Sequence, residues 1–172
     1  TFNTISRHQS KIARVRLDSN KSPWLKYATV GEVYNVPISH GEGRILASEE
    51  QLLKLAENGQ ILTQYVGLDG KPTMDITANI NGSVFAVEGL LSPDGHVFGK
   101  MGHSERIGKD LYNNVIGEYE MKLFESAVKY FNKYNKADKG RKNLTRPLSK
   151  GENMAYLSDI EIAQMCEMKN SS

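Results

Sequence analysis

A short, mostly apolar run at residues 97–101 leads into Gly102-His103-Ser104-Glu105-Arg106, and this junction constrains the fold more than any other part of the chain. The run follows a Ser92-Pro93-Asp94-Gly95 turn, so it predicts a buried strand that delivers His103 at its carboxyl end. Residues two apart on an extended segment point to the same side, so Glu105 can accept a hydrogen bond from one ring nitrogen of His103. The other nitrogen then faces a nucleophile, which indicates two members of a catalytic triad whose cysteine or serine lies elsewhere.

Three further segments accompany this motif in a fixed order. They are Ser39-His40-Gly41-Glu42-Gly43-Arg44, Asn81-Gly82-Ser83 and Gly89-Leu90-Leu91-Ser92-Pro93-Asp94-Gly95. Together the four segments resemble the glutaminase domain of phosphoribosylformylglycinamidine (FGAM) synthase. The resemblance runs from Phe2-Asn3-Thr4 to about Tyr134, and four motifs in order are far more specific than any one of them.

This resemblance implies a fold and a reaction. The fold is α/β, an incomplete class I glutamine amidotransferase of flavodoxin-like type, with a mostly parallel sheet flanked by helices. A Cys-His-Glu triad hydrolyses glutamine, and the ammonia passes to a synthetase part that converts FGAR to FGAM with ATP in purine biosynthesis. His103 and Glu105 match the catalytic pair. The family's nucleophilic cysteine precedes the segment that matches Phe2-Asn3-Thr4.

The segment Ser39-His40-Gly41-Glu42 lies where related amidotransferases hold the α-amino and α-carboxylate groups of glutamine. Glycines at such a turn let backbone groups approach a ligand closely, so Ser39, His40, Gly41 and Glu42 are candidate substrate-binding residues. The alternative is a plain turn in which Arg44 pairs with Glu42. The family often has proline where this chain has Ser104, but the middle residue faces away from both partners, so the triad geometry should survive.

Period-two and helical patterns predict the other elements. Strands are expected at 12–17, 33–39, 61–66 and 83–88, the last pairing with the strand at 97. Ser48 should cap a helix over 49–58, with Gln51 completing a capping box and Gly59 in the left-handed position after it. An amphipathic helix over 118–134 should close the domain, with Glu118 and Glu120 in its first turn.

Composition argues for a cytoplasmic chain without a nucleic-acid or membrane partner. The 22 basic and 20 acidic residues are interspersed, the net charge is +2, and no run approaches the ~20 apolar residues of a membrane span. One cysteine excludes an internal disulfide. The four histidines lack metal-ligand spacing, so no metal is predicted. The chain also lacks nucleotide-binding glycine motifs, so ATP and Mg²⁺ are expected only in the missing synthetase part.

The sequence changes character after residue 134. Residues 135–153 predict a disordered linker, since they are polar and nearly devoid of large apolar side chains. Residues from Met154 to about Lys169 resemble the N-terminus of formate-tetrahydrofolate ligase, so the tail 154–172 is interpreted as read-through into a neighbouring gene. The alternative is a genuine docking helix over 158–168.

Two functions follow from these patterns. In the first, residues 1–134 are the C-terminal portion of a glutaminase domain that acts on glutamine with a missing N-terminal half and a synthetase part. In the second, the chain is an inert amidotransferase remnant that serves as an interaction module.

Overall fold

A computed structural model describes residues 1–139, with side chains described to residue 132. Residues Thr1–Lys136 form one compact unit. The expected tail at 154–172, and the linker beyond residue 139, lie outside the described residues. The strands are β1 (Gln9–Leu17), β2 (Val33–His40), β3 (Ile61–Tyr65), β4 (Val87–Leu91) and β5 (Phe98–Lys100), and the helices are α1 (Glu49–Glu57) and α2 (Leu123–Lys139).

The five strands form one sheet in the order β2-β1-β3-β4-β5, and every pairing within it is antiparallel. The expectation of a mostly parallel sheet therefore does not hold for the described residues. The reason is local: β4 and β5 are joined by a tight turn, and short connections of that kind can pair strands only in antiparallel fashion. Helix α1 connects β2 to β3, which run in the same direction on either side of β1.

Alternation along β1 and β2 places the core on one face of this sheet. Ala13, Val15 and Leu17 are buried on β1, while the residues between them are partly exposed. This is the pattern of a strand with one covered face, as the sequence predicted. The core is completed by apolar side chains of the other strands and of the segments that cover them, including Leu25, Tyr34, Val36, Ile38, Leu62, Tyr65, Ile80, Leu91, Met121 and Leu123.

The sheet curls until its far edge meets β2. Gly102, two residues after β5, forms an antiparallel bridge with Ile38 of β2. The N–H of His103 donates to the carbonyl of Pro37 over 2.8 Å. Pro37 itself pairs with Ile12 on β1, and its lack of an N–H is tolerated because β2 is an edge strand. The curl brings the His103 segment to the end of β2 that carries His40.

Helix α1 begins and ends as the sequence predicted. Ser48 accepts from the N–H of Gln51, and the Gln51 side chain accepts from the N–H of Ser48, which completes the capping box. Gly59, just after the helix, has φ +63°, a left-handed value that glycine adopts without steric cost. No residue of α1 is buried, so the helix lies on the surface.

Strand β1 begins at Gln9, three residues before its predicted start, and three further elements differ from their predicted bounds by more than one residue or in their environment. Residues 84–86 form a 3₁₀ turn in which Phe85 and Ala86 have positive φ, so β4 begins only at Val87. Side chains compete with the strand ladder here, since Gln64 donates to the Phe85 carbonyl and Asn79 to that of Ser83.

The predicted buried strand at 97–101 is instead a half-exposed edge strand. Val97 is 68% exposed, and β5 pairs only with β4 over its three residues. Phe98 packs partly against the core and edge-to-face against Trp24, with 5.6 Å between ring centroids. An apolar run cannot by itself distinguish an edge strand from a central one.

Helix α2 begins at Leu123, five residues later than predicted, and continues to Lys139. The carboxylates of Glu118 and Glu120 instead accept from nearby backbone N–H groups and hold an extended connection. Met121, Leu123 and Ala127 are buried, whereas Phe124, Val128 and Phe131 remain about half exposed. Within the described residues, neither helix has the length and apolar character that crossing a membrane requires.

Candidate active site

His103 lies in the turn after β5, and its ring is paired as the sequence predicted. Nδ1 of His103 is 2.7 Å from Oε1 of Glu105. Among the described residues, Glu105 is the only side chain hydrogen-bonded to this ring. The contact assigns the proton to Nδ1 and leaves Nε2 free to accept a proton from an incoming nucleophile.

The charge of Glu105 suits the role of hydrogen-bond acceptor. The pKa of its carboxyl lies below the ordinary value, first because its own backbone N–H donates to it. Desolvation opposes this effect, whereas the His103 hydrogen bond and the charges of His103 and Arg106 reinforce it. Glu105 is therefore ionised at neutral pH and can stabilise an imidazolium at His103.

The residue between the two partners points away from their contact, as predicted, although residues 103–106 form a turn, closed by the Arg106 N–H donating to the His103 carbonyl over 3.1 Å, and not the expected extended segment. Ser104 Oγ accepts from Nζ of Lys100 over 3.2 Å and lies 4.0 Å from the sulfur of Met121. The substitution of serine at this position thus leaves the His103–Glu105 contact undisturbed.

The turn at residues 40–43 is held by Asn3 from the N-terminal segment. The N–H of Asn3 donates to the Gly41 carbonyl over 2.9 Å, and its side-chain amide donates to the His40 carbonyl over 2.8 Å. The Asn3 carbonyl oxygen Oδ1 accepts from the N–H of Gly43 over 3.3 Å. This buried amide fixes the backbone of the turn, so its shape does not depend on side-chain pairing within it.

The turn is also joined to residues 81–83. Asn81 donates to the Gly43 carbonyl over 2.6 Å, and Arg44 Nε donates to the Gly82 carbonyl over 3.1 Å. Glu42 is exposed, and no ion pair between Glu42 and Arg44 occurs within the described part of the chain. The Glu42–Arg44 pair of the plain-turn alternative is therefore not formed, while the plain turn itself stays an open alternative. The assignment of Ser39, His40, Gly41 and Glu42 to glutamine binding remains a prediction.

His40 combines burial with an absence of hydrogen bonds. Both of its ring nitrogens are buried, and neither has a partner among the described residues. The ring packs so closely on Gly43 that a Cβ there would lie 2.7 Å from Nδ1. Burial lowers the pKa of His40, and electrostatic interaction with His8 and His103 acts in the same direction, while a backbone hydrogen bond within His40 and the charge of Glu88 oppose it. The structure thus places His40 near His103, and the ring is neutral at pH 7.

Sequence reasoning missed a buried ion pair beside the His103 turn. Glu88 on β4 is fully buried, and its carboxylate lies 3.5 Å from Nζ of Lys100, whose side chain is 6% exposed. The signal was present: each is a charged residue inside a strand of otherwise apolar and glycine residues. A buried charge in such a strand requires a partner, and the pairing of β4 with β5 supplies it.

Within residues 1–132, no three histidine, cysteine or acidic side chains are grouped so as to hold a metal ion.

Known proteins similar to this chain include subunits of phosphoribosylformylglycinamidine synthase. The chain is 42% identical over 92 residues to phosphoribosylformylglycinamidine synthase subunit PurQ of Thermomicrobium roseum, covering 54% of this chain and 38% of the relative. It is 35% identical over 132 residues to the subunit of the same name from Salinibacter ruber, and this match covers 74% of this chain and 54% of the relative. The chain thus spans about half or less of the length of these relatives.

A solved structure shares the fold. The structure of PurLQS from Thermotoga maritima matches with a TM-score of 0.56 and 27% sequence identity over 76% of this chain and 51% of that one. Its likeness supports the α/β amidotransferase class despite the antiparallel pairing of the described strands.

The sequence pattern of an amidotransferase family also matches this chain. The match covers residues 1–131, which include the His103–Glu105 pair, the turn at 40–43 and all five strands. The chain belongs to the CobB/CobQ-like glutamine amidotransferase domain family.

Proposed function

We propose that this chain supplies the base and the orienting carboxylate of a glutaminase site in a glutamine-dependent FGAM synthase. The single observation that carries the proposal is the 2.7 Å contact between His103 Nδ1 and Glu105, which lies within the residues that match the amidotransferase family. The similarity to PurQ subunits of phosphoribosylformylglycinamidine synthase supports FGAM synthase as the enzyme. ATP and Mg²⁺ would bind in its synthetase part, outside this chain.

In this mechanism His103 Nε2 removes the proton from a cysteine thiol as the thiolate attacks the carboxamide carbon of glutamine. The imidazolium then gives that proton to the leaving ammonia, while Glu105 stabilises its charge. Water, deprotonated by the same nitrogen, releases glutamate from the thioester. Residues 1–139 contain no cysteine, so the thiol comes from a segment outside them.

The supporting likeness to PurLQS suggests that the chain works within an assembly that includes a synthetase part. Ammonia released at His103 would be used there for the ATP-dependent conversion of FGAR to FGAM. The low cysteine content suits a reducing, cytoplasmic location.

The test is His103→Ala in the synthase assembled with this chain. Glutamine-dependent FGAM formation should be abolished, while formation from free ammonia should persist, since His103 takes no part in the ligase step. Equal loss of both activities would make His103 structural. Full glutamine-dependent activity would favour the inert remnant instead.

A further inference from the structure

A buried ion pair lies directly behind the turn that carries His103. Glu88 is 0% exposed, and its two carboxylate oxygens are both occupied. Oε2 accepts from the Thr63 hydroxyl on β3, and Oε1 accepts from the N–H of Gly102 over 2.5 Å. The backbone carbonyl of Glu88 also accepts from the N–H of Met101 over 3.2 Å. Glu88 therefore anchors two successive residues that precede His103.

Lys100 holds the other polar groups of the same turn. Its Nζ donates to the Gly102 carbonyl over 3.0 Å and to Ser104 Oγ over 3.2 Å. The N–H of Gly102 is thus fixed by the carboxylate and its carbonyl by the ammonium. The residues on both sides of His103 contact Lys100, while the N–H of His103 is fixed by Pro37 of β2.

Gly102 permits this close approach. A Cβ at that position would lie 2.4 Å from Cγ2 of Val36 and 3.0 Å from Oε1 of Glu88. The absent side chain lets the peptide of residue 102 reach both the carboxylate and β2. An imidazole that must transfer a proton requires such a fixed backbone, since an error of about 1 Å in position can cost roughly 100-fold in rate.

We propose that Glu88 and Lys100 are positioning residues for His103: the buried pair fixes the peptide of Gly102 and so aims Nε2 of His103 at the nucleophile. This proposal rests on the proposed function. Replacing a buried ion pair by apolar residues of similar volume is often tolerated by the fold. Stability alone therefore does not explain why these two charges are buried. Their hydrogen bonds go mainly to residues 102 and 104, which flank His103.

The experiment removes both charges together, since removal of one would leave the other buried and unpaired. Glu88→Leu with Lys100→Met should leave the thermal midpoint of the assembled synthase near that of the wild type. Its glutamine-dependent kcat should fall roughly 100-fold, while KM for glutamine and the ammonia-dependent rate stay within about twofold. The control is Arg16→Met, which breaks the Arg16–Asp18 pair and should leave kcat unchanged. Arg16 lies near the end of β1 opposite to Gln9, the residue that pairs with His40.

A second variant tests the hydrogen bond itself. Glu88→Gln with Lys100→Met keeps an oxygen that can accept from Gly102, so it should recover about tenfold of the lost kcat. It also carries the test if the Leu-Met variant does not fold. If both double variants keep glutamine-dependent kcat within threefold of wild type, the pair is only structural and the inference is wrong. His103→Ala separates the two proposals: retained glutamine-dependent activity in that variant refutes the proposed function, whatever the ion pair does.

Discussion

Within residues 1–132, a single side chain, that of Glu105, is hydrogen-bonded to the imidazole of His103, so the orientation of the ring depends on one carboxylate. The Glu105 side chain is 55% exposed, so its burial contributes little to stability. Its contribution is the position and the negative charge of the carboxylate next to Nδ1 of His103. The sequence predicted this contact from the alternation of an extended segment, but the contact forms within a turn over residues 103–106. It could not predict the unpaired ring of His40, which depends on how closely Gly43 packs against it.

Glu105→Gln should lower the glutamine-dependent rate of the assembled synthase by up to about 10⁴-fold, as loss of the equivalent carboxylate does in Ser-His-Asp enzymes. The ammonia-dependent rate should not change. Steady-state kinetics with either nitrogen source is the measurement. Glu125→Gln, in the exposed Glu125–Lys129 pair of α2, is the control. A loss below tenfold would mean that Glu105 does not orient His103.

His40 should make the stability of the chain depend on pH. Its pKa in the folded chain lies below the ordinary 6.5, so between that lowered value and ~6.5 the unfolded chain binds more protons. The stabilisation due to neutral His40 is therefore fully present above ~6.5 and is lost as the pH falls through this window. Urea unfolding from pH 8 to 5 should show a shallower loss of free energy for His40→Gln than for the wild type.

Comparison at pH 8, where the histidine is neutral in both states, isolates any packing change caused by the substitution. Parallel curves for the two proteins across the whole range would show that burial of His40 does not perturb its titration.

At the scale of elements, the sequence predicted those features of helices, strands and turns that depend on residues close together in the chain. The capping box of α1, the bounds of β2 to within one residue and the turn before β5 follow from residues near in sequence, whereas β1 begins three residues before its predicted start. The starts of β4 and α2 were predicted wrongly, because long-range bonds act there: Gln64 donates to the Phe85 carbonyl, and the N–H of Asn35 donates to the Glu118 carbonyl. The curl that bridges Gly102 to Ile38 is likewise a long-range pairing with no local signature.

Helix α1 should depend strongly on its cap. Because none of its residues is buried, tertiary packing contributes little to it. Ser48→Ala should therefore lower the free energy of unfolding by about 1 kcal/mol, measured by urea denaturation. Ser48→Asp keeps an acceptor at the N-cap and should stay close to the wild type. Equal losses in both variants would show that the serine acts otherwise than as a cap.

Two glycines of the β5 segment offer a matched test of the bridge to β2. A Cβ at Gly102 would clash with Val36, whereas one at Gly99 would meet nothing within 4 Å. Gly102→Ala should therefore lower the glutamine-dependent kcat by roughly 100-fold and also destabilise the fold. Gly99→Ala should change neither by much. Kinetics and thermal melts of the pair decide this, and equal behaviour of the two variants would contradict the close approach at 102.

At the scale of the whole molecule, two segments distant in sequence, the N-terminal residues and residues 81–83, converge on the turn at 40–43. Asn3, Asn81 and Arg44 link the N-terminal residues, the turn and residues 81–83 by hydrogen bonds. The same end of the sheet receives the His103 turn. The described residues thus hold the candidate proton acceptor, His103, next to the structured turn at 40–43. Under the proposed function, both would serve a glutaminase site whose nucleophile comes from another segment.

This arrangement predicts that the 172-residue chain alone does not hydrolyse glutamine. Its only cysteine, Cys166, lies outside the described residues, 63 positions after His103 in the sequence. A catalytic thiol needs a fixed place within hydrogen-bond reach of its base, and within residues 1–132 only Glu105 is bonded to the His103 ring. Purified chain with glutamine should therefore release glutamate and ammonia no faster than a His103→Ala control. Clear turnover that disappears in Cys166→Ser would overturn the proposal that the thiol comes from another segment.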